Sequence, residues 1–310
     1  MDFDFDIDFE NFHSGFCALI GKPNAGKSTL INQVLGQKIA AVSPRPQTTR
    51  KRQLGIYTSE TLQIIFVDTP GVHLPKHKLG EFMMSVVDQA LSEVDLILWL
   101  VDLSTDPEKE DKIIAEQLAE LRKAPPILMI GNKSDTVKTE LQFTERMRAY
   151  EKLAPQAEQI SISAINNENF DALLEKIAEY LPESPPLYDP DQITDFYMRE
   201  IAAELIREAA LFHLQDEIPH SLAVRMDEYK ERNDNLDFIS ATLLVERDSH
   251  KGIVIGKKGA MLKRIGQSAR QQIEIASGKK AYLELRVKVD RDWMNNPNSL
   301  HWLGYQRRKK

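Results

Sequence analysis

Residues 21–28 read Gly-Lys-Pro-Asn-Ala-Gly-Lys-Ser, set between the apolar run FCALI (16–20) and a stretch with helical spacing (27–36). Few short segments constrain a fold so tightly. Gly21 and Gly26 let the backbone curl until successive N–H groups point inward, a nest for phosphate oxygens. A helix opening at Lys27 adds its partial positive charge to that nest. Lys27 is placed to reach β- and γ-phosphates, and Ser28 to ligate Mg²⁺. The whole loop, Gly21, Lys22, Pro23, Asn24, Ala25, Gly26, Lys27 and Ser28, with Thr29 behind it, is therefore expected to face a nucleotide.

The loop needs a strand before it and a helix after it, and the chain repeats that alternation as far as Leu181. Apolar runs at 62–67 (LQIIFV), 95–101 (DLILWLV), 126–130 (PILMI) and 159–163 (QISIS) alternate with helix-like stretches at 79–92, 108–123, 139–152 and 168–181. Short apolar strands between amphipathic helices imply an α/β fold, a mostly parallel sheet covered on both faces. Met83, Met84, Val86 and Val87 read as core-facing helix residues. The segment 182–191 (PESPPLYDPD) carries four prolines and reads as a stiff, extended linker. Beyond it the pattern is α-β-β-α-α-β, a smaller α+β domain. The expected organisation is a flexible acidic tail (1–14), a nucleotide domain (15–181), the linker (182–191), the α+β domain (192–305) and a basic tail (306–310).

Composition excludes some classes. The chain has 310 residues, 42% hydrophobic and 28% charged, and no apolar run long enough to span a bilayer. Its first twelve residues lack the basic flank and apolar core of a signal peptide. A single cysteine, Cys17, permits no internal disulfide and reads as a packed core thiol, so a reducing cytoplasm is expected. The net charge of −7 argues against a nucleic-acid partner only on average. Residues 247–288 hold 11 Lys/Arg against Asp248, Glu274 and Glu284, a local net of +8.

Further motifs sit at the ends of the apolar runs. Asp68, Thr69, Pro70 and Gly71 (DTPG) place a carboxylate where it meets a Mg²⁺ shell through water and a glycine N–H where it meets a γ-phosphate. Asn132, Lys133 and Asp135 (in NKSD) follow the 126–130 run. A carboxylate at Asp135 accepts from guanine N1–H and its exocyclic amine, whereas adenine would leave it unpaired. Ser163, Ala164 and Ile165 (SAI) are placed to supply a backbone N–H to guanine O6. In the polar segment 43–52, Thr49 or Thr48 is the candidate Mg²⁺ ligand of a nucleotide-sensing loop. Arg45, Arg50, Lys51 and Arg52 there read as solvated loop charges.

With these motifs in this order, residues 15–181 resemble a translation-factor-related small GTPase. A second glycine turn, Gly256-Lys257-Lys258-Gly259, stands between an apolar approach (Ile253, Val254, Ile255) and a helix carrying Lys263, Arg264 and Arg270. Such a turn lets an RNA backbone approach closely while lysines pair with its phosphates. That domain resembles a KH module of the bacterial type. A GTPase followed by a Pro-rich segment and this module resembles the Era family of bacterial ribosome-assembly GTPases. The resemblance implies GTP and GDP as ligands, binding to the 3′ region of 16S-type ribosomal RNA, and a role in 30S maturation.

The resemblance also bounds the chemistry. Ras-like enzymes orient the attacking water with a Gln, but the corresponding residue here is Val72. Lys27 and Thr49 are left as the catalytic candidates, and His73 and His77 read as surface histidines. Asn24 matches the asparagine that binds K⁺ in related GTPases, which implies slow, K⁺-stimulated hydrolysis. The alternative is an RNA-binding scaffold with a structural, barely hydrolysing nucleotide site. An ATP-dependent remodeller is disfavoured by Asp135. The basic face would suit anionic lipid at the membrane surface as well as RNA, and a monomer is the default.

Overall fold

The computed structural model describes residues 11–42, 49–121, 124–216, 218–219 and 221–305. The strongly acidic opening (1–10), Thr48, Arg45 and the basic tail (306–310) lie outside the described residues. Residues 12–14, expected within the acidic tail, belong to the first unit, because strand β1 (His13–Ile20) already begins at His13 and Phe12 is buried.

The first unit is a six-stranded sheet, ordered β2-β3-β1-β4-β5-β6. Its strands are β1, β2 (Gln53–Thr58), β3 (Leu62–Asp68), β4 (Leu96–Asp102), β5 (Ile127–Asn132) and β6 (Glu158–Ser161). All neighbouring pairs are parallel except β2 with β3. The helices are α1 (Lys27–Leu35), α2 (Lys78–Ser92), α3 (Lys109–Ala119), α4 (Glu140–Glu151) and α5 (Phe170–Ala178). Two apolar clusters, one on each face, bury β3 and β4 completely. That is why these strands read as continuous apolar runs rather than alternating ones. Met83 and Val87 of α2 and the thiol of Cys17 are in the core, as their pattern indicates; burial pushes that thiol's pKa well up.

Strand β2 was not marked by any apolar run. It is an antiparallel edge strand, and its free side is covered by residues 193–195, just after the Pro-rich segment. The Ile56 N–H donates to the Ile193 carbonyl (2.9 Å), Leu54 N–H donates to Asp195 Oδ1 (2.8 Å), and Gly55 bridges Thr194. Gln63, wholly buried in β3, accepts from the N–H groups of Leu187 (2.7 Å) and Tyr188 (2.9 Å) and donates to the Tyr188 carbonyl (2.9 Å). The segment expected as a stiff spacer is thus strapped along the sheet.

The second unit packs α6 (Met198–His213) and α8 (Ala260–Ser277) on a three-stranded sheet. Its strands are β7 (Ala223–Asn233), β8 (Leu236–Val245) and β9 (Lys280–Val289), with β7 and β8 antiparallel and β8 and β9 parallel. Helix α7 (Asp248–Ile255) joins β8 to the second glycine turn, and α9 (Pro297–Trp302) is the last described helix. Ile239, Ala241, Leu243 and Val245 alternate onto the helix-covered face. No described helix is long and apolar enough to cross a membrane.

Candidate functional site

Four motifs of the first unit land at the carboxyl ends of parallel strands, Gly21 after β1, Asp68 on β3, Asn132 on β5 and Ser163 after β6, while Thr49 stands just before the antiparallel β2. Chain order reverses around β1, and open α/β sheets bind ligands at that crevice. A cavity of about 510 Å³ occupies it, lined at one end by Lys27, Ser28 and Thr49 and at the other by Lys133, Asp135 and Ala164.

At the phosphate end three oxygens converge from three separate segments. Thr49 Oγ1 lies 3.0 Å from Asp68 Oδ2 and 3.2 Å from Ser28 Oγ, and Ser28 Oγ donates to Asp68 Oδ2 across 3.4 Å. The other carboxylate oxygen, Asp68 Oδ1, is buried with no hydrogen-bond partner. Hydroxyls around a carboxylate with a spare oxygen are a donor set that fits a hard divalent cation. Burial pushes Asp68 up to about 6, against the pull of Lys27 and the two hydroxyls. Lys27 is buried and pushed down to about 8, with Asp68 opposing; its Nζ donates to the carbonyls of Gly21 (3.0 Å) and Lys22 (3.1 Å). A buried ammonium held only by carbonyls has direct use for a phosphate.

At the base end Asn132 ties the motifs together. Its Nδ2 donates to the Ala25 carbonyl (2.8 Å) and its Oδ1 accepts from the Ala164 N–H (3.0 Å). Ser163 Oγ donates to Asp135 Oδ1 at 2.5 Å, which fixes the carboxylate beside the cavity. Lys133, in the left-handed region at φ 65°, pairs with Asp102 at 2.5 Å. Burial alone would raise Asp102, but hydrogen bonds from Lys133 and Ser104 outweigh it and leave the carboxyl below its ordinary range.

Not every expected residue turns its side chain to the cavity. Lys22 faces away, bonded to Thr105 (3.0 Å) and Glu108 (2.8 Å) and close to Asp111, where it anchors the start of α3. Thr69 donates to the Leu19 carbonyl (2.6 Å) and Pro70 is buried, so these two shape the backbone. Gly71 packs on Pro23, where a Cβ would meet the Pro23 nitrogen at 2.9 Å. Asn24 and Ile165 are exposed at the rim. Val72 is buried, its N–H donated to the Gly21 carbonyl (3.3 Å). The histidines are not plain surface residues. His73 Nδ1 contacts the Gly71 carbonyl (2.8 Å), and His77 caps α2 by accepting from Gly80 N–H (3.0 Å).

Arg50 overturns its reading as a solvated charge. It is 1% exposed; Nη1 donates to the Leu222 carbonyl (2.8 Å) and the guanidinium lies over the Trp293 ring at 5.8 Å. Lys51 lies over Tyr305 (5.1 Å). Helix α2 grips the same region: Leu79 and Met83 pack with Trp293, Leu300, Leu303 and Tyr305, and Leu79 N–H donates to the Met294 carbonyl (3.0 Å). The segments on either side of the phosphate end thus both hold the C-terminal part of the second unit. Sequence reasoning missed this because Arg50 sits in a polar run whose burial depends on residues some 240 positions later.

In the second unit, Gly256, Lys257, Lys258 and Gly259 form a tight turn with Gly256 at φ 72°, Lys258 at φ 53° and Gly259 at φ 79°. A groove of about 420 Å³ runs from Gly259 between α8 and the edge strand β9, lined by Lys263, Arg270, Leu262, Leu283 and Leu285 among others. Lys263 and Arg270, seven residues apart, share the groove face; Arg264 is exposed but turns off it. Val254 is corrected: it is fully buried in the core against α8 and has no surface for a ligand. Ile253 is exposed and Ile255 partly so. The groove residues missed from sequence, Gly266, Gln267 and Tyr282, come from helix and strand positions without a motif of their own.

Comparison with known proteins follows the same division. A family model described as 50S ribosome-binding GTPase matches residues 16–133, and a KH domain model matches 217–294. The chain is 45% identical over 299 residues to "GTPase Era" of Ruminiclostridium cellulolyticum, covering 96% of this chain and 99% of that one. It is 45% identical over 295 residues to "GTPase Era" of Clostridioides difficile, covering 95% and 99%. A solved structure of Era in complex with MgGDPNP and nucleotides 1506–1542 of 16S ribosomal RNA superposes with a TM-score of 0.90 at 39% identity, covering 95% of this chain and 99% of that one. Identity at that level, carried through both units rather than one, makes the chain a GTP hydrolase of the Era family.

Proposed function

We propose that the chain is a GTP-driven switch that binds the 3′ region of small-subunit ribosomal RNA through its KH groove and assists 30S maturation, acting in the cytoplasm as a monomer. One observation carries the switch: Thr49 touches Asp68 and Ser28 at the phosphate end, while its neighbour Arg50 is buried against Leu222 and Trp293 of the KH unit. A γ-phosphate that repositions Thr49 therefore acts on the RNA-binding unit through one peptide bond.

Ser28, Thr49 and Asp68 are the residues that would hold Mg²⁺, Asp68 through water. When bound, Mg²⁺ neutralises charge on the β- and γ-phosphate oxygens. Lys27 holds the β- and γ-phosphates, Gly71 N–H and the loop amides orient them, and Asp135 selects guanine. Buried Val72 has no group with which to position the attacking water, so intrinsic hydrolysis is slow. Asn24, left-handed at φ 64° on the cavity rim, is the residue assigned to K⁺. The basic groove is assigned to RNA rather than to anionic lipid, since it lies in the unit that the KH domain model matches.

The test is binding of single-stranded RNA from the small-subunit 3′ end with GTP analogue, GDP or neither. Affinity that depends on the nucleotide establishes the switch. Indifference, with no multiple-turnover phosphate release, returns the protein to an RNA-binding scaffold. Equal hydrolysis in Na⁺ and K⁺ removes the assignment of Asn24.

A further inference from the structure

The groove beside the glycine turn does not stop at Arg270. At its far end stands Tyr282, the side chain that lines the groove from the opposite direction to Leu283 and Leu285. Strand alternation sends Leu283 and Leu285 under α8 and Tyr282 to the open face of the sheet. Because β9 is an edge strand, the ring sits where the groove turns the corner. There Tyr282 pairs across to Phe238 on β8, the rings nearly parallel at 14° with centroids 5.9 Å apart. The Arg232 guanidinium in turn lies 4.7 Å from the Phe238 centroid. Tyr282 remains 55% exposed.

A cross-strand aromatic pair by itself serves the sheet. Two features here exceed that need. The first is position, since the stack prolongs a groove that already presents Lys263 and Arg270. The second is charge. Arg232 and Lys230, which is paired opposite Phe238, lie beside the rings; of the acids around them, Glu231 is held by Lys279 (2.7 Å), Asp237 by the Tyr229 hydroxyl (2.6 Å), Glu274 by the Ala281 N–H (3.1 Å) and Glu284, two residues along β9 from Tyr282, by Arg286 (3.6 Å), while Glu228, paired opposite Ser240, is exposed. Cations along a path ending in an exposed ring face are what an unpaired nucleotide requires, phosphate to the cation and base to the ring.

Resting on the RNA-binding reading above, we propose that Tyr282, backed by Phe238 and Arg232, is a stacking station for one nucleobase beyond those held at the glycine turn. It takes a single-stranded RNA that continues past Arg270, and it is indifferent to base identity because every base has a π-face.

The experiment uses the full chain and nested single-stranded RNAs from the small-subunit 3′ end, lengthened one nucleotide at a time from the roughly four that a KH turn clamps. Wild type is expected to gain about fivefold or more in affinity at one added nucleotide, and to lose that gain when the nucleotide is abasic. Tyr282→Leu should abolish the gain while still binding the short RNA as wild type does; Tyr282→Phe should restore it. A 4-thiouridine at the same nucleotide should crosslink to Tyr282. A gain of equal size in Tyr282→Leu, or no step at any length, overturns the station and leaves the rings as a sheet contact. If wild type binds none of these RNAs, or Gly256→Asp binds them all as well, the RNA reading itself falls and the station with it.

Discussion

Two glycine turns open two helices in this molecule, and they are built to different ends. In the first, space is the constraint. A Cβ at Gly26 would stand 2.1 Å from Asn132 Nδ2, the amide that joins the phosphate loop to the guanine-side loop. In the second, the left-handed backbone is the constraint at both glycines, and space is tight only at Gly256, where a Cβ would meet the Met261 nitrogen at 2.8 Å. Gly259 has nothing within 4 Å of an added Cβ, yet sits at φ 79°. The nucleotide loop is a packed joint whose parts must fit one another before any ligand arrives. The KH turn is a bare edge of backbone left clear for a partner.

The comparison breaks most sharply at Gly26. Gly26→Ala should reduce nucleotide affinity a hundredfold or more, to roughly the same extent as Lys27→Ala reduces phosphate release, by displacing Asn132 and straining the loop at φ 104°. RNA binding without nucleotide should survive it. If nucleotide affinity stays within about threefold, Asn132 is not the joint inferred here.

The second turn should divide between its own glycines. Gly256→Asp brings a Cβ within 2.8 Å of the Met261 nitrogen and adds a negative charge facing the proposed RNA backbone. RNA affinity is expected to fall more than about tenfold with nucleotide affinity unchanged. Gly259→Ala meets no atom and should cost only the left-handed backbone, about 1 kcal/mol of stability, with a correspondingly milder effect on RNA. Equal losses in the two variants, measured by titration, would mean that the turn acts through shape alone.

Between the two turns lies their connection. Arg50→Met or Trp293→Leu should leave nucleotide and RNA binding each within about threefold while the ratio of RNA affinities in GTP analogue and GDP collapses toward one. Coupling energies between sites are typically of a size that makes such ratios about 5 to 150. Reciprocity supplies an independent check, because GTP affinity must lose its dependence on RNA by the same factor. A ratio that survives both substitutions would route the coupling elsewhere.

The legibility of these regions from sequence tracks how local their physics is. The phosphate loop, DTPG, NKSD and SAI were readable because each is a short segment at its own strand end, and α8 (260–277) is the helix expected after the second glycine turn. What was not readable depended on distant partners. Strand β2 carries Gly55 and Gln53 instead of an apolar run, and residues 193–195 cover its edge. Arg50 looks solvated until Leu222 and Trp293 are brought beside it. Val254 belongs to an apolar triplet in which helical rotation, invisible in the motif, buries one member and exposes its neighbour Ile253. Tyr282 looks like any strand residue until the groove is seen to end there.

The smallest effect tests whether the base end of the nucleotide site is set before the ligand binds. Lys133 and Asp102 form an ion pair at the base end, with Asp102 largely buried and Lys133 about a third exposed. Lys133→Met should therefore destabilise the free protein by about 1 kcal/mol at neutral pH, a modest figure because water screens the exposed partner. The pH dependence has a definite sign. A carboxyl whose folded value lies below its ordinary 3.8 adds stability that is complete well above that value and disappears as pH falls through the lowered one. Denaturation curves of wild type and Lys133→Met should accordingly stay separated above about pH 5 and converge in stronger acid. If the separation is constant to the lowest pH at which the protein folds, the lysine contributes by packing its stem along the cavity wall, and the base end is not electrostatically set in advance.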